Sequence, residues 1–186
     1  MHIAKKGLRV LGIAESYYGR ERSTLAGVVM RKDMVIDGIG FANATVGGMD
    51  ATEAIMSIFS MLSRKDINCI MLSGCIISWF NVIDPEKILE ETGLPVIGVS
   101  YEDSEGLEAD IIHHFPGDQK RLNAYKKLGM RKSVDIRTGY RIFVRSWGMA
   151  FNDASRLCSD FTKDGKVPEP LRVARLIAKS SMEYYA

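Results

Sequence analysis

Three runs of apolar and β-branched residues, separated by short polar connections, occupy the first forty or so positions. They cover residues 8–13, 24–31 and 34–41. The connection Lys32-Asp33 has the length of a hairpin turn, while the polar stretch 15–22 separates the first two runs. The pattern predicts three strands arranged as an antiparallel meander.

The period then changes from two to between three and four. Asp50, with Glu53 three residues later, has the spacing of a capping box ahead of an apolar run typical of a helix, which extends to Leu62. A short continuous apolar run follows at 67–72 and predicts a buried fourth strand.

A second helix and a fifth strand complete this section. Asp84-Pro85 places proline at a first helical position, and Thr92-Gly93 is typical of a helix end. The run 95–99 predicts the next strand. The order strand, helix, strand, helix, strand indicates right-handed crossovers and parallel pairing. We therefore expect the first and fourth strands to be neighbours, with Glu15 and Ser73 at the same end of the sheet.

The remaining residues predict four helices and a hairpin, and contain no repeat or interdomain linker. The helices lie near 107–114 and 119–128 and begin near Asn152 and Pro170, and the hairpin joins 134–136 to 141–144 around Thr138-Gly139. The whole chain, 1–186, is expected to form one α/β domain.

The composition is that of a globular protein, with 46% hydrophobic and 26% charged residues. Its three cysteines lack a C-x-x-C spacing, which argues against a disulfide framework and a structural zinc site. The sequence offers neither an apolar run of about 18 residues nor a secretory signal at its polar start. We expect a cytoplasmic protein that does not contact membranes.

The small net charge of +2 conceals two opposed blocks. Residues 84–118 hold ten Asp or Glu and one Lys, whereas residues 120–145 hold nine Lys or Arg and one Asp. The second block predicts a nucleic-acid-binding face. Its candidate residues are Lys126, Lys127, Arg131, Lys132, Arg137, Arg141 and Arg145. The alternative is that the two blocks pair with each other, within the monomer or between subunits.

A ligand site is expected where the carboxyl ends of the first and fourth strands meet. Hydrolysis of a phosphodiester there would require convergent carboxylates that hold Mg²⁺. The candidate catalytic residues are Glu15, Asp50 and Glu53, although a capping box explains the last two without a metal. No cofactor is expected, because Ser73 offers only a neutral hydroxyl. If the protein is an enzyme, Mg²⁺ or Mn²⁺ would bind Glu15 and Asp50.

Motifs distributed in order along nearly the whole chain resemble those of the domain-of-unknown-function family ninety-nine. They are Gly12-Ile13, Gly27-Val28-Val29-Met30-Arg31, Asp37-Gly38, Gly48-Met49-Asp50-Ala51-Thr52, Phe80-Asn81-Val82-Ile83-Asp84, Glu91-Thr92-Gly93-Leu94-Pro95-Val96-Ile97 and Pro168-Glu169-Pro170-Leu171-Arg172-Val173-Ala174. That family is similar to endonuclease V, which cuts nucleic acid near deaminated purines. The resemblance implies a ribonuclease H-like mixed sheet, in which parallel strands extend the antiparallel meander, with flanking helices and extra helices at the C-terminus.

The chain departs from the family pattern at the presumed metal site. An Asp-Asp pair is replaced by Ala14-Glu15, an Asp by Gly47, an Asp-Gly by Ser73-Gly74, and a His by Arg175. The metal-binding carboxylates are therefore expected to be largely lost. The residues expected to line the cleft are Ala14, Ser73, Gly74, Asn81, Asp84, Glu169, Arg172 and Arg175.

Loop aromatic residues near this cleft leave two interpretations open. Tyr17-Tyr18 and Trp79-Phe80 can stack on nucleobases. They can equally fill the space left by the absent carboxylates or form a subunit contact.

Taken together, these features favour a non-catalytic or catalytically impaired nucleic-acid-binding relative of endonuclease V. The first alternative is an active metal-dependent endonuclease that cleaves DNA or RNA. The second is a structural or self-associating protein, such as a homodimer.

Overall fold

The protein is described by a computed structural model that covers residue 3 and residues 5–185. Its strands are β1 (Arg9–Tyr17), β2 (Arg22–Arg31), β3 (Ile36–Thr45), β4 (Cys69–Ser73), β5 (Ile76–Ile77), β6 (Asn81–Val82), β7 (Val96–Ser100), β8 (Lys132–Asp135) and β9 (Arg141–Trp147). Its helices are α1 (Ala51–Leu62), α2 (Pro85–Thr92), α3 (Glu108–His114), α4 (Gln119–Lys127), α5 (Phe151–Asp160) and α6 (Glu169–Tyr185).

Seven strands form one mixed sheet in the order β3-β2-β1-β4-β7-β9-β8. The meander of β1, β2 and β3 is antiparallel, as predicted. β1 pairs with β4 in parallel, with Val10 opposite Cys69 and Ile13 opposite Leu72. The prediction that the first and fourth strands are neighbours is confirmed, and Glu15 and Ser73 lie at the same end of the sheet.

The other edge of the sheet combines the predicted parallel strand β7 with a hairpin that the sequence predicted without placing it in the sheet. β7 continues the parallel pairing from β4. The β8–β9 hairpin then adds antiparallel strands, with Val99 opposite Val144. The short β5–β6 pairing was not predicted, and its turn is irregular because Ser78, Trp79 and Phe80 all have positive φ angles, a region that non-glycine residues rarely adopt.

Successive side chains of each strand point to opposite faces of the sheet, and each face has its own apolar core. On one face, β1 side chains such as Leu11 and Ile13 pack with Ile55 and Ile58 of α1. On the other face, Val10 and the neighbouring strands pack with α5 and α6. The sheet is therefore covered by helices on both sides, as expected for an α/β fold.

Gly12 allows α6 to approach β1 closely. A Cβ atom at this position would lie 2.6 Å from Pro170 Cβ and 2.7 Å from the Pro170 carbonyl carbon. Because backbone atoms cannot move aside as a flexible side chain can, the start of α6 requires glycine here. This contact fixes the helix that carries Arg175 against the centre of the sheet.

Other local predictions have clear outcomes. The Asp84 carboxylate caps α2 by accepting a hydrogen bond from Lys87 N, and Gly93 ends the helix with a φ of 68°. The three cysteines are buried free thiols. Among the described residues, no helix is both long enough and apolar enough to cross a membrane.

Candidate functional site

Three adjacent strands end with side chains directed to the same face of the sheet. Ala14 in β1, Ser73 in β4 and Tyr101 just after β7 each lie four residues beyond a strand residue of the core beneath α6. Those earlier residues are Val10, Cys69 and Ile97. Since the strand period is two, all three side chains point towards α6.

Arg175 reaches this site from α6. Its Nη2 donates a hydrogen bond to Ser73 Oγ over 3.2 Å. The hydroxyl of Tyr101 is buried and makes no hydrogen bond in the described structure. Burial raises the pKa of Tyr101 to about 12, although the nearby Ser73 hydroxyl and Arg175 guanidinium act in the opposite direction. A buried hydroxyl without an acceptor costs about 1–3 kcal/mol.

This set of residues does not fit a divalent metal ion. Mg²⁺ prefers several oxygen ligands, above all carboxylates. Ala14 has no donor atom, Ser73 has a neutral hydroxyl, and Arg175 carries a positive charge that would repel a cation. Throughout residue 3 and residues 5–185, no group of three or more His, Cys, Asp and Glu side chains is arranged to hold a metal. The positive charge at the ends of these strands is that of the Arg175 guanidinium.

Glu15 lies at the same end of the sheet but on the opposite face. It alternates with Ala14 and shares the face of Leu11 and Ile13. Its Oε2 accepts a hydrogen bond from Ser23 Oγ at 2.9 Å. The structure therefore does not bring Glu15 together with Ser73.

Asp50 belongs to a separate polar group with Thr45 and Asn81. Its carboxylate accepts hydrogen bonds from Thr45 N at 3.1 Å, Thr45 Oγ1 at 2.7 Å and Asn81 Nδ2 at 2.7 Å. Burial acts to raise the pKa of Asp50, but these hydrogen bonds outweigh it and lower that pKa below its ordinary value.

The capping-box prediction is wrong. The Asp50 side chain makes no capping hydrogen bond, and Asn81 Oδ1 instead accepts from Ala51 N at 3.1 Å. Glu53 pairs with Lys87 Nζ at 2.9 Å rather than folding back on the helix start. The reason is tertiary, since an amide from β6 occupies the position that a local cap would take.

This geometry predicts a pH-dependent effect of Asp50→Asn. The amide loses acceptor capacity and places a donor beside Asn81, so we expect a loss of about 1–2 kcal/mol of stability at pH 7. The carboxylate has a lowered folded-state pKa, and its stabilising contribution is present above the unfolded-state pKa of about 3.9 and lost as the pH falls through the folded-state value. The difference in unfolding free energy between the parent and Asp50→Asn, measured with urea, should therefore be smaller at pH 3 than at pH 7. A gap that widens towards pH 3 would contradict the assignment.

Several other predicted cleft residues have structural partners. Asp84 both caps α2 and accepts from Lys127 Nζ at 3.3 Å. Glu169 and Arg172 pair within the first turn of α6, with Arg172 Nε 2.9 Å from Glu169 Oε2. Gly74 provides a turn after β4, with a φ of 90°. Of the predicted cleft, only Ala14, Ser73 and Arg175 converge on the α6 face.

Two residues near the carboxyl ends of the strands, Tyr101 and Arg121, were not among the candidates predicted from the sequence. Tyr101 could have been found by extending the alternation of β7 one residue past its end. Arg121 gave no signal beyond its place in the basic block. It is buried, and its guanidinium donates to the carbonyls of Gly47, Gly48 and Phe80.

The aromatic residues Trp79 and Phe80 pack within the protein. The Trp79 ring centroid lies 4.8 Å from that of His114, and Phe80 contacts both His114 and Phe115. Trp79 nevertheless remains 47% exposed. Phe80 is therefore packed against α3, while about half of the Trp79 surface stays accessible.

The predicted basic residues differ in how their charges are balanced. Lys127 pairs with Asp84 and Glu86, and Arg141 pairs with Asp135. The alternative of pairing between the acidic and basic blocks therefore holds for Lys127.

Three other arginines of this block donate to neutral carbonyls. Arg131 bonds to the carbonyls of residues 102 and 104, Arg137 to those of 160 and 162, and Arg145 to that of 129. These bonds hold the side chains in place without cancelling their charge. Lys126 and Lys132 are exposed.

Arg141 and Arg145 project from one face of β9, because Ile142 and Val144 are fully buried on the other side. Arg145 pairs in register with Gly98, whose side faces away from α6. This basic face therefore lies on the opposite side of the sheet from Ser73 and Arg175.

Solved structures with the same architecture define the class of the protein. A protein of unknown function from Archaeoglobus fulgidus is similar with a TM-score of 0.82 and 25% identity, over 94% of this chain and 98% of that one. Endonuclease V from Ciona intestinalis, solved with a 24mer DNA containing an inosine followed by a ribo-adenosine, is similar with a TM-score of 0.67 and 17% identity, over 97% of this chain and 88% of that one. The fold is that of endonuclease V, a ribonuclease H-like mixed sheet.

The sequence comparisons identify the family. The model of the endonuclease dU family matches residues 6–182. A UPF0215 protein of Pyrobaculum calidifontis is 40% identical over 176 residues, which cover 94% of this chain and 97% of that protein. This chain belongs to the endonuclease dU family, and the resemblance inferred from its motifs is confirmed.

Proposed function

We propose that this protein is a cytoplasmic, nucleic-acid-binding member of the endonuclease dU family in which metal-dependent cleavage is lost or severely impaired. The observation that carries the proposal is the hydrogen bond from Arg175 to Ser73, at the strand ends where carboxylates would have to converge. A guanidinium in this place opposes metal binding and favours a polyanion.

Binding of nucleic acid is supported by the charge distribution. Arg131, Arg137 and Arg145 keep their positive charges because their partners are carbonyl oxygens. On α6, Arg175 and Lys179 are exposed, and so is Arg172, whose charge is balanced by Glu169. Such charges attract phosphates independently of base sequence.

The second candidate function is an active endonuclease, favoured by membership in a family with that name. It would need a metal set other than the one expected from the family pattern. The same assay decides between the two candidates.

The decisive experiment combines binding and cleavage on identical substrates. Single- and double-stranded DNA and RNA, unmodified or containing deoxyuridine or inosine, are incubated with the protein in EDTA, Mg²⁺ or Mn²⁺. We expect binding at about 50 mM salt with a dissociation constant in or below the range of about 10⁻⁴–10⁻⁶ M. We expect no metal-dependent cleavage. Efficient cutting in Mg²⁺ would establish the endonuclease, and absence of binding in every condition would refute both candidates.

A double variant tests the basic face of β9. We expect Arg141→Ala with Arg145→Ala to flatten the dependence of log K on log salt by about one to two units, since each neutralised phosphate contributes about 0.7–0.9. Circular dichroism checks that the fold is retained. Arg141 already pairs with Asp135, so it contributes less to phosphate binding. If only Arg145 contacts a phosphate, the slope should change by about one unit and not two. An unchanged slope would show that this face pairs within the protein or with another copy, and light scattering on the same samples would reveal a dimer.

A further inference from the structure

The site beneath α6 has unused hydrogen-bond donors and an excess of positive charge. Arg175 Nη2 donates a hydrogen bond to Ser73 Oγ, and the Ser73 hydroxyl hydrogen remains available for another acceptor. The Tyr101 hydroxyl is buried beside the Ser73 hydroxyl and makes no hydrogen bond in the described structure. The small side chain of Ala14 occupies the neighbouring strand end. Three donors without a carboxylate among them therefore meet on one face of three adjacent strands.

Such a donor set is complementary to a tetrahedral oxyanion. A phosphate group offers several acceptor oxygens, and a guanidinium matches its geometry and charge. In a carboxylate site, a divalent cation must stand between the protein and the phosphate because both are negative. Here Arg175 supplies the cation from the protein, so a phosphate can bind directly.

We propose that Ser73, Tyr101 and Arg175 form a metal-independent binding site for one phosphate of a nucleic-acid backbone. This inference rests on the proposed function and names the place where the backbone is held. The polymer is favoured over free phosphate because Arg175 and Lys179 lie four residues apart along the exposed side of α6, one turn beyond Arg172, which pairs with Glu169. They form a stripe that extends from the site along the helix.

Two variants remove the proposed donors separately. Arg175→Gln removes the charge and Tyr101→Phe removes only the buried hydroxyl. Arg156→Gln is the matched control, since this exposed arginine on α5 also loses its charge but lies outside the site. Binding of fluorescein-labelled fifteen-nucleotide oligo-dT is measured by anisotropy in EDTA. We expect each site variant to raise the dissociation constant by about tenfold or more, and the control by less than about twofold.

Thermal unfolding separates a binding role from a folding role. Without ligand, Tyr101→Phe should melt at the same temperature as the parent or higher, because it removes a buried group without a partner. With the oligonucleotide, the parent should gain stability and this variant should gain little. A Tyr101→Phe protein that folds normally and binds oligo-dT as well as the parent would overturn the inference.

Inorganic phosphate distinguishes the two sources of the ligand. If 10 mM phosphate stabilises the parent but not Arg175→Gln, the site takes phosphate as such, and the weaker oligo-dT binding of the variants then assigns it to the backbone. If the parent binds oligo-dT and both site variants bind it equally well, the site fails while the proposed function stands. If the parent binds phosphate through Arg175 but no nucleic acid, the proposed function and the backbone assignment fail together.

Discussion

Changing Ala14 and Ser73 to Asp and Arg175 to His is expected to create a divalent-cation site in this protein. The three positions converge on the α6 face, and the substitutions replace an inert methyl group, a hydroxyl and a cation by ligands suited to Mn²⁺. In EDTA the variant should melt below the parent, because two carboxylates then lie close together in a partly buried place.

Added metal should reverse this loss. With Mn²⁺ at about 100 times its dissociation constant, linkage gives about 2.7 kcal/mol of stabilisation, or a rise in melting temperature of about 5–11 °C for a chain of this size. Differential scanning fluorimetry with a Mn²⁺ titration measures the rise, and the parent should show none.

Ser73→Asp alone is the matched control for the triple variant. With Arg175 retained, the new carboxylate should form an ion pair with the guanidinium and gain no response to Mn²⁺. If the triple variant folds but its melting temperature is insensitive to Mn²⁺, the three positions do not share one site.

Gly12→Ala is expected to be the most destabilising single-methyl change proposed for this chain. The new Cβ would lie well inside the contact distance of Pro170 Cβ and of the Pro170 backbone. Since β1 is held by β2 and β4 on its two sides, α6 would have to move. We expect a loss of about 2–4 kcal/mol in urea unfolding, at and above the usual cost of overpacking.

The backbone of Gly12 is an ordinary strand, so the effect reports the contact alone and not a loss of conformational freedom. Gly7→Ala is the control, because a Cβ there meets no atom within 4 Å. It should change stability by no more than about 0.5 kcal/mol. Because α6 carries Arg175, Gly12→Ala should also weaken oligo-dT binding. Equal stability of the two variants would show that α6 does not depend on the close approach.

The part of the fold that depends on short-range signals was predictable. The meander follows from alternating runs with a hairpin-length connection, and α2 follows from a proline at its start, a capping Asp84 and a glycine at its end. These signals act between residues a few positions apart, so they do not depend on the remainder of the chain. The neighbouring placement of β1 and β4 followed from the order of elements.

The candidate site was predictable only in part. The sequence directed attention to the carboxyl ends of the first and fourth strands and named both Ser73 and Arg175, which the structure brings into contact. The sequence did not show which face of the sheet each side chain would occupy. Glu15 and Ala14 are adjacent in β1, and a shift of one position moves a strand side chain to the opposite face. Tyr101 lies two residues past the predicted strand 95–99, so the pattern assigned no direction to its side chain.

The sequence by itself determined the types of the main elements and the neighbouring placement of β1 and β4. Only the tertiary structure decided that Asn81 caps α1 from 30 residues away and that Arg175 meets Ser73 across 102 residues. Local spacing cannot encode such contacts, because they depend on how α6 lies on the sheet and on which face each strand presents. The close approach at Gly12 sets that placement, and it brings the Arg175 guanidinium to the end of β4.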